Sequence, residues 1–256
     1  MIKLIATDID GTLLADGTLK INPEYYDVIK ELRNRGVRVI AASGRQRSSI
    51  EKVFAPIVDE ISFISENGTA VYSKDYQFIN KIPEDVARAY IREARMFPGC
   101  EITINKDNMA YFENVGLYRY MIDDYGYRGE LVDNIEDYLD DVCKISIFHH
   151  KEFVDKWSKT MNIAVSGKFW LDCTNQGGNK GSALQHFQEA YKISPDETLA
   201  FGDNINDIEM LKRASHSFAV ENAREEVKEV ANFIAPSYKE DGVLQVLKAV
   251  LRGELA

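Results

Sequence analysis

The sequence predicts an α/β protein in which a parallel-sheet core is interrupted by a second, inserted α/β domain. Three observations carry this reading. Short apolar runs alternate with helical patterns at both ends of the chain, aromatic-rich strand candidates fill its middle, and acidic segments containing glycine stand where the strands Lys3 to Ile9 and Thr198 to Phe201 stop. The 256 residues, 45% of them hydrophobic, can bury a sizeable core in one large or two modest domains.

Taken in order, Lys3 to Ile9 is a short apolar run ending at Asp10-Gly11-Thr12, a buried strand that opens into a loop. Pro23 opens a helical pattern through Leu32, Gly36 stops it, and Val37 to Ala42 reads as the next strand. Strands joined through helices favour a parallel sheet, whose ligand sites lie beyond the carboxyl ends of the strands. The rhythm returns late: helix Lys180 to Tyr191, strand Thr198 to Phe201, helix Ile205 to Lys212, strand Ser217 to Val220, helix Ala223 to Val230, strand Asn232 to Ile234 and helix Gly242 to Leu251. Between these parts, strand candidates Met109 to Phe112 and Lys144 to Phe148 alternate with helices holding Tyr118 to Tyr120 and Phe153 to Trp157. The acidic run Asp137 to Asp141 reads as a solvated helix face.

The charge balance, 31 Lys and Arg against 41 Asp and Glu for a net −10, disfavours attachment to nucleic acid or anionic membrane. No apolar run approaches the ~20 residues of a membrane span, and Asp8 comes too early for a signal peptide, so a cytoplasmic location is expected. Cys100, Cys143 and Cys173 lack C-x-x-C spacing and read as reduced and buried. A phosphorylated small molecule stays compatible with the acidic chain, because a metal ion, a few cations and helix-start amides suffice to hold it.

Four segments at strand ends carry chemistry: Asp8-Ile9-Asp10-Gly11-Thr12, Ser43-Gly44-Arg45, Asn179-Lys180-Gly181 and Gly202-Asp203-Asn204-Ile205-Asn206-Asp207. Asp8 and Asp10 stand two apart, so strand periodicity puts both carboxylates on one side. One can attack phosphorus while the other gives a proton to the leaving oxygen and later takes one from water. Asp203 and Asp207 bring two further carboxylates to the same edge. At an effective dielectric near ~20, each like-charge contact at about 4 Å costs about 4 kcal/mol, so a hard divalent cation such as Mg²⁺ is required. Ser43, Gly44 and the following amides can donate to phosphoryl oxygens at a helix start. Lys180 at a helix N-terminus opposes the helix dipole, which points to an anionic partner. Arg45 fits a substrate phosphate or hydroxyl, or a surface ion pair. Each segment alone is compatible with an ordinary turn or cap; their conjunction is not.

In order and spacing, the four segments resemble the motifs of the haloacid dehalogenase superfamily of phosphatases. Glu66-Asn67-Gly68, Met210-Leu211 and Asp241-Gly242-Val243 further resemble its Cof-type sugar-phosphatase branch, so the likeness covers essentially the whole chain. It implies a Rossmann-like parallel-sheet core at residues 1–80 and 176–256, with residues 81–175 forming an inserted α/β cap that selects the substrate. It also implies Asp8 as nucleophile and Asp10 as acid and base. Mg²⁺ would be held by Asp8, Asp203 and the Asp10 backbone carbonyl, with Asp207 supporting and Asn206 contacting that shell or the substrate. The implied partner is a small phosphorylated metabolite. Ile9 and Glu221 replace the residues usual in the branch, and Glu221 marks a loop where pocket detail can differ. Cys173 to Asn175, where the chain re-enters the core, are candidates to face the leaving group. Two other readings fit part of this pattern: a phosphomutase, which hands the phosphoryl group to a second hydroxyl, and a phosphoacceptor signalling module, which needs neither Asp10 nor so large an insertion.

Overall fold

The computed structural model describes residues 1–149, 162–167 and 170–255. At its centre is β1 (Leu4–Thr7), four consecutive buried residues, as a strand covered on both faces requires. The first half of the core adds α1 (Glu24–Asn34), β2 (Arg38–Ala42), α2 (Arg47–Val53) and β3 (Ser62–Ser65), followed by β4 (Ala70–Tyr72) and β5 (Gln77–Ile79). Helix α1 buries Tyr25, Val28, Ile29 and Leu32, the i, i+3, i+4, i+7 stripe of an amphipathic helix.

The intervening chain forms α3 (Glu84–Arg95), β6 (Cys100–Lys106), β7 (Met109–Phe112), α4 (Val115–Asp123), β8 (Gly129–Leu131), β9 (Lys144–His149), β10 (Asn162–Gly167) and β11 (Trp170–Thr174). Then come α5 (Lys180–Tyr191), β12 (Thr198–Gly202), α6 (Ile208–Leu211), β13 (His216–Val220), α7 (Glu225–Lys228), β14 (Phe233–Ala235) and α8 (Gly242–Arg252). None of the described helices is long and apolar enough to cross a membrane.

Two sheets result. The larger runs β14-β13-β12-β1-β2-β3-β4-β5, parallel except for the two hairpin strands β4 and β5 at one edge. That antiparallel edge was not anticipated; its strands are three residues each, too short to show periodicity. The second sheet runs β10-β11-β9-β6-β7-β8 and is antiparallel except at β7 and β8. One of its faces packs Ile102, Ile104, Ile145, Ile147 and Leu171 against Tyr90 and Ile91 of α3. Thr103, Lys144, Ser146 and Asp172 occupy the other face and are buried as well.

Several expected elements shorten. The helix expected over Ile205 to Lys212 is a 3₁₀ turn (Ile205–Asp207) followed by the single turn of α6, and the 223–230 helix contracts to α7. Asp137, Asp140 and Asp141 are exposed, but beside a short 3₁₀ turn (Ile135–Tyr138) instead of on a helix face. Cys143 and Cys173 are buried free thiols, whereas Cys100 is half-buried. The expected helix at Phe153 to Trp157 lies outside the described residues.

Register brings the chemistry to one edge. Thr7 is paired with Ala41 of β2 and Phe201 of β12, so Asp8, Ser43 and Asp203 leave three adjacent parallel strands at nearly the same level. The turn Glu66-Asn67-Gly68 after β3 is left-handed at all three residues, with φ of 51°, 58° and 96°. A Cβ on Gly68 would stand 2.2 Å from the Asn179 backbone, so this glycine lets the turn seat against the first residues of α5. Replacing Gly68 with Ala is expected to lower the urea midpoint by an amount equivalent to about 1–3 kcal/mol or more, with the denaturant slope unchanged.

Candidate active site

Helix α5 begins at Lys180, fixed there by a reciprocal cap: the Asn179 side chain accepts from Ser182 N at 2.9 Å, and Asn179 N donates to Ser182 Oγ at 3.3 Å. The Lys180 side chain is 1% exposed, and its Nζ donates to Asp8 Oδ1 at 2.5 Å and to Asp207 Oδ1 at 2.6 Å. Burial opposes an ammonium, but the two carboxylates more than offset this and hold Lys180 charged. Asp207, fully buried, accepts at its other oxygen from the amides of Asp203 and Asn204, both at 3.0 Å. Both of its oxygens are therefore engaged in holding the loop and the lysine.

Oxygens of Asp8, Asp203 and Asp207 lie within 4.8 Å of one another, a donor set suited to a hard cation. Burial, and next the Asp207 charge, push the Asp8 carboxyl well above the usual carboxylate range, with Lys180 pulling the other way. The same two influences raise Asp203 to about 7, opposed by the hydroxyl of Thr12, which donates to Asp203 Oδ1 at 3.0 Å. Gly11, with φ of 75°, permits this contact, since a Cβ there would approach Asp203 Oδ2 to 2.4 Å.

Asp10 lies at the same cavity, but its carboxylate faces Arg45, which donates from Nε to Oδ2 at 2.7 Å and from Nη2 to Oδ1 at 2.5 Å. Arg45 also donates to Thr18 O at 2.9 Å and Ser49 Oγ at 3.3 Å. The ion pair considered for Arg45 thus exists, but the guanidinium is buried, not at the surface. Ser43 is 1% exposed, and its hydroxyl accepts from the Arg45 amide at 3.1 Å. Gly44 offers its carbonyl to Lys144 Nζ at 2.7 Å. Asn206 donates to Asn67 Oδ1 at 2.9 Å, and Asn67 donates to Asp172 Oδ2 at 2.5 Å.

These groups border one cavity of about 620 Å³, within the ~300–1,000 Å³ of pockets that enclose a small ligand. Of the positions expected from the four strand-end segments it draws together all except Lys180 and Asp207; Lys180 contacts both Asp8 and Asp207. The second sheet contributes Lys144, Ser146, Trp170 and Asp172, none of which follows a motif. The available signal was alternation: Ile145, Ile147, Leu171 and Cys173 pack toward α3, so by period two Lys144, Ser146, Trp170 and Asp172 lie on the opposite face, which borders the cavity. By the same period Cys173 points into the apolar cluster, Thr174 donates to Gly178 O at 2.9 Å, and Asn175 ties down Lys81 O at 2.9 Å; Asp172 holds the position expected of them. Glu221 is exposed and does not line the cavity.

A family model described as haloacid dehalogenase-like hydrolase matches residues 5–247. The chain is 31% identical to the 5-amino-6-(5-phospho-D-ribitylamino)uracil phosphatase YbjI of Escherichia coli, over 99% of this chain and 97% of that protein. It is 27% identical to the phosphatase of the same description, YcsE, of Bacillus subtilis, covering 96% and 95%. A solved structure from Eubacterium rectale superposes with a TM-score of 0.86 at 39% identity, covering 97% of this chain and 99% of that one. The HAD subclass IIB sugar phosphatase BT4131 shares the fold, with a TM-score of 0.82 at 22% identity over 97% and 98% of the two chains. Motifs, sheet order and whole-length likeness agree, and the chain belongs to the haloacid dehalogenase-like hydrolases as a phosphatase of their Cof-type branch.

Proposed function

We propose that the protein hydrolyses small phosphate monoesters, sugar phosphates or related phosphometabolites, in two phosphoryl transfers through Asp8 with Mg²⁺. The observation that carries this reading is the buried Asp8 carboxylate at the cavity, held at Oδ1 by Lys180 beside Asp203 and Asp207. Among the described residues no hydrogen bond engages Oδ2, which suits it to attack. A bond forms from Asp8 to phosphorus as the ester P–O bond breaks, and Asp10 gives its proton to the departing alkoxide. Water then attacks the aspartyl-phosphate, Asp10 takes its proton, and inorganic phosphate leaves Asp8 free.

Three crowded carboxylates whose burial and mutual repulsion raise Asp8 and Asp203 fit a divalent cation. Asp8, Asp203 and the Asp10 carbonyl would hold it, while Asp207, with both oxygens engaged, positions the loop and Lys180. Bound Mg²⁺ supplies charge neutralisation for the transferring phosphoryl group. Ser43, the amides after it and Lys180 would share that task, and Asn206 would contact the substrate or the metal shell. Arg45 keeps Asp10 parked until an ester oxygen replaces the pair. Residues 81–175 form the cap over this site in our reading. The relatives' descriptions as phosphatases of a ribityl phosphate support a small phosphorylated metabolite as substrate.

With Mg²⁺, the purified protein is expected to hydrolyse p-nitrophenyl phosphate; Asp8→Asn abolishes this and Asp10→Asn lowers kcat by about 10²–10⁴-fold. Undiminished turnover by Asp8→Asn would sink the mechanism. A second expectation concerns pH. In the metal-free chain the Asp203 carboxyl titrates near 7 against an ordinary 3.8, so between these values the folded state holds a proton the unfolded state has lost. Stability therefore falls as pH rises through that window. Melting curves in chelator should show this decline, flattened in Asp203→Asn, and Mg²⁺ added above about pH 7 should raise the wild-type Tm more than that of the variant.

A further inference from the structure

The segment from Ser43 to Ser49, which joins β2 to α2, is held from two sides. Toward the cavity, Ser43 accepts from the Arg45 amide, and the Arg45 guanidinium forks onto Asp10 and reaches Ser49 Oγ. On the other side, three alternate residues are each tied to the unit that carries the second sheet. Gly44 O accepts from Lys144 Nζ of β9 at 2.7 Å. The fully buried Gln46 carboxamide spans the Arg128 backbone just before β8: its Oε1 accepts from Arg128 N at 2.6 Å, and its Nε2 donates to Arg128 O at 3.1 Å. Ser48 N donates at 2.7 Å to Oδ1 of Asn108, in the turn between β6 and β7.

Asn108 supplies what α2 lacks locally. The first amides of a helix have no intrahelical acceptor, and Gln46, the N-cap residue of α2, makes no side-chain cap. An Asn oxygen on an amide of the first turn meets that need, here brought from 60 residues along the chain. The left-handed φ of 60° at Asn108 is one that Asn and Gly adopt readily. Gln46 spends its carboxamide on the two-point contact with Arg128, and its Oε1 also accepts from Ser48 Oγ at 2.5 Å.

We propose that Gln46 and Asn108 are positioning residues for the acid Asp10, acting through Arg45. Arg45 stands between two residues gripped by the second unit, so the seating of that unit on positions 44, 46 and 48 sets where the guanidinium points. The fork passes that setting to the Asp10 carboxylate. Proton delivery needs the acid within hydrogen-bond reach of the departing oxygen, so misalignment costs most where the alcohol leaves as a strong base. This inference rests on the phosphatase reading and adds the residues that align its acid.

The test compares kcat/KM, which spans only binding and loss of the alcohol, on two esters of similar size. p-Nitrophenyl phosphate releases a weak base; phenyl phosphate releases a stronger one and relies more on Asp10. Gln46→Ala and Asn108→Gly, the latter sparing the left-handed backbone, are each expected to lower the value for phenyl phosphate about tenfold more than that for p-nitrophenyl phosphate, within the about 10²–10⁴-fold worth of a general acid. Asn108→Asp keeps the acceptor and the wild-type ratio of the two esters. In an Asp10→Asn background neither substitution moves that ratio. Asn108→Gly, in a half-buried turn, carries the test if Gln46→Ala fails to fold. A merely structural seam lowers both esters alike, so equal losses, or values unchanged by the substitutions, overturn the inference while the phosphatase reading stands. A wild-type protein that hydrolyses neither ester overturns both.

Discussion

The buried Lys180 ammonium between Asp8 and Asp207 is the contact on which the rest of the arrangement depends. Without a cation there, three carboxylates inside the protein would repel at close range, and each would tend toward its neutral form. Its placement draws on distant parts of the chain. The cap at Asn179 starts the helix at that residue, the left-handed turn ending at Gly68 makes room for it, and Asp207 meets it from the loop after β12. A cation at a helix N-terminus is unfavourable against the helix dipole, and the anionic cluster reverses that sign.

The second charge relation is the Arg45 fork on Asp10. It separates the two carboxylates that period two places together: Asp8 looks toward the lysine and Asp203, Asp10 toward the guanidinium. One strand end therefore presents two acids in distinct environments, the condition for giving them distinct roles. The parallel register makes this possible, since Ser43 and Asp203 emerge level with Asp8 from the two flanking strands.

The core was legible because its strands are continuous apolar runs and its site residues stand at their carboxyl ends, where sequence punctuation is strong. Lys180 announced itself by being on the wrong end of a helix. The wall formed by Lys144, Ser146, Trp170 and Asp172 was not legible. An alternating strand with one polar face ordinarily has that face in water, and nothing local says that here it covers a cavity. Cys173 to Asn175 missed Asp172 by a single residue, which on a strand is the difference between the two faces. Short elements such as β4, β5 and α6 lack the length to show a period, so tertiary contacts set their bounds. The marks Glu66-Asn67-Gly68 and Asp241-Gly242-Val243 signalled a branch without a role. The first is the turn against α5; in the second, Asp241 accepts from Asn22 at 2.8 Å and ties the start of α8 to the first loop.

Asn67 links the two sheets at the cavity, donating to Asp172 on one while accepting from Asn206 in the loop after β12 of the other. Divergence of substrate preference within such a lineage is therefore uneven. A replacement at Asp172 strips a partner from Asn67 and from Ser146 and is felt through Asn67 at Asn206, so changes at these positions are coupled. Trp170 has the Phe148 ring beside it and, among the described residues, no such tether. Neutral drift and new specificities would start at Trp170, and the residues joined through Asn67 would follow late, as a block of coupled substitutions.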